Sequence, residues 1–180
     1  RLLARATRMR LPAQMIRDQA LAISGLLTER IGGPSVGPYQ PEGLWDDIVE
    51  RGQEYRLSTG EDLYRRSLYT FWKRTRPAPA MITFDSSTRE THIVAPTRTN
   101  TPLQALNLMN DVTYTEAARA LAQKVMQRGE AVDDSLRYMY RLATARFPNS
   151  SVLSILNDAY SGHLENFGTN RGAALELISE

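Results

Sequence analysis

Apolar residues recur at helical spacing near the start of the chain and again through its second half, and lose that regularity in between. Pro12 suits the first position of a helix, where its missing N–H costs nothing. Ile16, Ala20, Ile23, Leu27 and Ile31 then repeat on one face, with Arg17, Gln19 and Glu29 off the stripe. Gly32-Gly33-Pro34 is the expected stop. From Gly32 to Gly43 three prolines and four glycines fall within twelve residues, which predicts an irregular loop. Leu44-Trp45-Asp46-Asp47-Ile48 is expected to close it as a short helical turn with Trp45 as its buried anchor.

Residues 61–76 carry mixed signals. Glu61 and Asp62 at one end and Lys73, Arg74 and Arg76 at the other match a helix dipole. The aromatic run around Tyr69-Thr70-Phe71-Trp72 favours extended backbone, so a strand is expected over 67–73, ended by Pro77 and Pro79. Met81–Asp85 reads as a short helical turn or an extended segment, and 86–98 as a polar loop. Beyond it, Pro102 opens a short helix through Met109. Thr113 and Glu116 have capping-box spacing and open a helix to about Arg128, stopped by Gly129. Asp133 caps a third that runs toward Pro148, Ser150 or Ser151 starts a fourth, and a last short one covers about Gly172–Ser179. The fold class is therefore mainly α: one helix-rich domain over 1–180, loop-rich over 1–98 and helical over 99–180, with one short β element around 67–73.

Composition changes this picture little: 180 residues at 42% hydrophobic suffice for a core without staples. The chain lacks cysteine, which excludes disulfides, thiolate metal sites and thioether haem attachment within it. No apolar stretch is long enough to span a membrane. The first residue is Arg1, so the chain reads as a fragment of a larger protein whose targeting signal lies upstream. Net charge is only +2 but unevenly spread: 1–20 is basic, 42–62 acidic and 64–98 basic again. Such blocks either steer an anionic partner or neutralise one another in the fold.

Candidate chemistry is sparse. His92 and His163 are far apart and show no paired ligand spacing, and no nucleophile-elbow or phosphate-loop motif occurs. Met15, Met109, Met126 and Met139 sit at apolar helical positions, where core packing explains them better than haem ligation. Arg65-Arg66 beside Tyr64, Tyr69 and Trp72 has the charge and stacking of a nucleic-acid or anionic-glycan surface, or else pairs with acids of its own domain such as Asp85 and Glu90. Asp46, Asp47, Asp85 and Glu90 are the carboxylates that an acid–base pair for glycoside hydrolysis would draw on.

Four separated runs resemble a known family. They are Gly32-Gly33-Pro34-Ser35-Val36 with Pro38-Tyr39-Gln40-Pro41 and Gly43-Leu44-Trp45; Asp62 through Thr75; Thr83-Phe84-Asp85; and Arg98-Thr99-Asn100-Thr101-Pro102-Leu103-Gln104-Ala105-Leu106 with Asn110-Asp111. In this order they resemble the planctomycete-specific carboxy-terminal domain of unknown function, most clearly over residues 1–145. The resemblance implies a large exported, periplasmic or cell-surface protein with upstream domains, often including a cytochrome c-like one. Any haem c would then lie upstream, with no cofactor and no metal in this segment. It carries over no catalytic residue. It nominates Trp45, Arg65, Arg66, Asp85, Arg98, Asn100, Gln104 and Asn110 as a ligand site or a polar network. The expected function is a non-catalytic structural or binding module. The alternative is one wall of the active site of an extracellular polysaccharide-acting or haem-linked redox enzyme. Expected partners are the upstream domains and a glycan; the small net charge and exported setting speak against nucleic acid.

Overall fold

A computed structural model describes residues 9–41, 43–44, 55–73, 77–95 and 97–179. Contacts divide the chain into two compact units, one of Arg1–Gln19 with Leu27–Asp111, the other of Ala20–Leu26 with Val112–Glu180. Among the described residues seven α-helices and two 3-10 turns account for the regular structure, and no sheet forms.

Helix α1 spans Ala13–Ser24, not the longer run to Ile31 that the apolar repeat suggests. The stop is Gly25, at φ +86°. Its N–H bonds to the Ala22 carbonyl at 3.2 Å and that of Leu26 reaches Leu21 at 2.9 Å, a complete Schellman closure. The buried stripe is Ala13, Arg17, Leu21 and Ser24, while Ile31 is exposed. Arg17, off the expected stripe, is thus one of the residues the helix buries.

Among its described residues the first unit is then mostly irregular. The β element expected over 67–73 is reduced to single bridges. Ser67–Tyr69 is a 3-10 turn. Around it, Thr28 bridges Arg65 and Val36 bridges Thr70, both parallel. The Val36 N–H donates to the Tyr69 carbonyl at 2.9 Å and its carbonyl accepts from Phe71 at 2.7 Å. The pairing stays this short because the Ser67–Tyr69 3-10 turn interrupts the extended backbone and Asp18 takes up the Ser67 N–H. Gly37 lies here because a Cβ would run onto the Arg56 carbonyl. Helix α2 (Pro79–Thr83) makes the start of the ambiguous 81–85 segment helical, with Phe84 and Asp85 in the turn that follows and Met81 and Phe84 buried. Helix α3 (Pro102–Asn110) packs on it. The turn expected over 44–48, with Trp45, lies outside the described residues apart from Leu44.

The second unit follows its pattern closely. Helices α4 (Val112–Met126), α5 (Val132–Thr144), α6 (Ser150–Thr169) and α7 (Arg171–Ser179) pack each on the next. Asn149 caps α6 by accepting from the Val152 N–H at 2.8 Å. Two caps differ from expectation. Asp111 alone separates α3 from α4, so Thr113 is a buried residue of the first turn rather than a cap. Ala131 caps α5, leaving Asp133 and Asp134 in its first turn, where the dipole favours them. Leu21, Ala117, Val125, Leu136 and Leu153 are buried here. Met15, Met109 and Met126 are exposed rather than core; Met81, in α2, is the buried methionine.

Candidate functional site

Of the nominated residues, Arg65 and Arg66 belong to one polar cluster and Asp85 and Gln104 to another, both in the first unit, while Trp45 lies outside the described residues. The first is centred on Arg65, whose side chain is 0% exposed. Its guanidinium donates to the carbonyls of Pro34 (3.0 Å), Arg30 (3.2 Å) and Gly32. Such a convergence requires the loop to fold back on itself, which Gly32 and Gly33 permit by adopting φ +80° and +90°. A Cβ at Gly33 would lie in van der Waals contact with the guanidinium, so the positive φ rather than lack of space is what calls for glycine there. Tyr69 closes the other face, its ring centroid 4.0 Å from the Arg65 guanidinium carbon and its hydroxyl accepting from the Gly32 N–H at 2.8 Å. The Gly-Gly-Pro run and the Tyr64–Tyr69 run are therefore the two halves of one latch.

Helix α1 completes it. Arg17 donates to the carbonyls of Leu63 (2.8 Å) and Arg65 (2.9 Å), and Asp18 accepts from the Ser67 N–H at 2.7 Å. Arg66 points outward and makes a loose ion pair with Asp18 at 3.7 Å. Neither arginine of the pair thus meets Asp85 or Glu90, the acids expected beside them.

The second cluster is centred on Asp85, which holds φ +59°. It accepts from the Thr99 N–H at 2.7 Å and hydroxyl at 2.9 Å, and pairs with Arg10. These contacts, the Thr99 amide first, hold its carboxyl below the ordinary aspartate range. Arg10 is fully engaged, its Nε bonding to the Thr99 carbonyl at 2.8 Å and Nη1 to that of Phe84 at 3.2 Å. Gln104, only 3% exposed, accepts from the Thr101 N–H at 3.3 Å and donates to the Thr83 carbonyl at 3.0 Å. It thereby ties the start of α3 to the end of α2. Asn100 is exposed, and Asn110 is exposed and bonds within its own helix to the Leu106 carbonyl at 2.8 Å. Arg98 lines a cavity of about 200 Å³ beside Asp85.

Sequence reasoning named Tyr69 beside Arg65 and quoted Thr99 in a motif run, but missed Arg10 and Arg17 as members of these clusters. Arg17 had a signal, its place between Ala13 and Leu21 at four-residue spacing; Arg10 had none. A second cavity, of about 280 Å³, is lined by Ser35, Gly37, Tyr55, Arg56, Ser58 and Phe71. The Tyr55 hydroxyl donates to the Pro38 carbonyl, and burial pushes its pKa up to about 12. His92 is exposed, and His163 stacks against Phe167 at 6.2 Å. Among the described residues no group of three histidine or acidic side chains has metal-site geometry, and no helix is long and apolar enough to cross a membrane.

These features define a mainly helical domain whose separated sequence motifs meet as backbone-binding polar clusters. The chain belongs to the PSD1 family, described as a protein of unknown function (DUF1553), which it matches over residues 1–160. No curated protein and no solved structure matches it.

Proposed function

We propose that this domain is a non-catalytic structural and binding module of a large exported protein, with its upstream domains and a glycan as partners and any haem c held upstream. The observation that carries this reading is Arg65, which is wholly buried and bonded to three backbone carbonyls. A guanidinium so engaged holds a loop in shape and is withdrawn from substrate. Asp85 points the same way, since a carboxylate paired with Arg10 and held below its usual range is a poor proton donor at neutral pH. The exposed apolar side chains of α3, Leu103, Leu106, Leu108 and Met109, suit a surface that another domain covers.

The test is thermal unfolding of Arg65→Lys. An ammonium cannot fork to three carbonyls or lie flat on Tyr69. The loss expected is about 2–3 kcal/mol, a fall in Tm of roughly 4–12 °C for a chain of this length. An unchanged Tm would contradict the structural role.

A further inference from the structure

We infer that the cavity beside Asp85 is a binding site for a small oxyanion, the carboxylate, sulfate or phosphate group of a larger molecule. Its polar lining includes Arg10, Gln14, Ser86, Ser87, Arg89 and Arg98. Arg10 and Asp85 neutralise each other, and Arg10 spends its remaining reach on carbonyls. That leaves two guanidiniums without a carboxylate among the described residues. Arg89 lies over the Trp72 ring, 4.9 Å from its centroid, and Arg98 has neither an ion pair nor a hydrogen bond among the described residues.

The hydroxyls add to this imbalance. Ser86 Oγ accepts from Gln14 Nε2 at 2.8 Å, and Ser87 Oγ accepts from the Arg89 N–H at 3.2 Å. Each oxygen is thus occupied as an acceptor while its proton remains to be donated. Asp85 offers little repulsion in return, because Thr99 and Arg10 already occupy both its oxygens. The unspent groups are therefore donors, two of them cationic, and an acceptor-only anion is their complement. At about 200 Å³ the cavity is smaller than the ~300 Å³ at which sites for whole drug-sized ligands begin, so it takes one charged group rather than a whole ligand. This site is additional to the structural role proposed for Arg65, and Arg65→Lys does not touch it.

The experiment is an amide NMR titration of the 180-residue chain with sodium sulfate, and separately with sodium acetate, at ionic strength held constant with sodium chloride. Saturable shifts at Ser86, Ser87, Arg89 and Arg98 are expected, and the better-bound salt distinguishes a tetrahedral from a planar group. Arg98→Gln, at an exposed position, should weaken binding about tenfold or more with Tm unchanged, and Arg89→Gln should weaken it similarly with a small fall in Tm from the lost Trp72 contact. Ser87→Ala is a milder variant, expected to weaken binding severalfold. Shifts that chloride reproduces, or affinity undiminished in Arg98→Gln and Ser87→Ala, would overturn the assignment.

Discussion

The two units hold their elements by different means. In the first, Arg17, Arg65, Ser67 and Gln104 are buried beside Val36, Leu63, Met81 and Phe84, in a unit where regular structure is scarce. In the second, Leu21, Ala117, Val125, Leu136 and Leu153 are buried on successive helices that satisfy their own backbones. The difference follows from where backbone hydrogen bonds can go. A helix pairs its N–H and C=O groups internally and needs only an apolar stripe to pack. An irregular loop must find a partner for each buried carbonyl, and guanidinium and carboxamide side chains supply several donors at once. The first unit's signature is polar for that reason.

The contrast can be tested from both sides. Arg65→Lys should have the largest effect of the polar substitutions, as given above. Leu21→Ala is its counterpart in the second unit: Leu21 is 0% exposed, and its truncation should cost about 2–4 kcal/mol, read from denaturant midpoints. If it were neutral, the second unit would not rest on its apolar stripe. Gly37→Ala sharpens the comparison within the first unit. The added Cβ meets the Arg56 backbone carbonyl, and the chain must shift at a cost of about 1–3 kcal/mol. A smaller and pH-dependent effect is expected at Asp85. Its folded pKa is depressed, so its contribution is fully present above the ordinary aspartate value of about 3.9 and is lost as pH falls through the lower folded value. An acid titration of stability should therefore be shallower in Asp85→Asn than in the parent chain. Equal slopes would show that the Thr99 and Arg10 contacts do not favour the charged form.

Much of the helical half was legible in the sequence. The starts at Pro102 and Ser150, the stop at Gly129 and the last short helix come within a residue or two of their places, because turn and cap chemistry acts over three or four residues. The misplaced end of α1 was legible too: Ser24-Gly25 is as good a stop as Gly32-Gly33-Pro34, and nearer. The strand expected over 67–73 failed for a different reason, since a 3-10 turn at Ser67–Tyr69, its first N–H taken by Asp18, leaves only the bridge to Val36. Motifs nominated Arg65, Arg66, Asp85 and Gln104 together with Asn100 and Asn110, but which of these would meet, around Arg65 or around Asp85, was not visible along the chain.

The sequence by itself determined the helical class, the loop character of 32–43 and the family, because period, glycine–proline punctuation and motif order are all local properties of the chain. Only the tertiary structure decided which polar groups meet. Arg65 finds Pro34 across 31 positions, Arg17 finds Arg65 across 48 and Arg10 finds Asp85 across 75. Nothing in residue spacing encodes those separations. They arise because a buried carbonyl must be paired, and the donor that reaches it is set by how the chain packs in three dimensions.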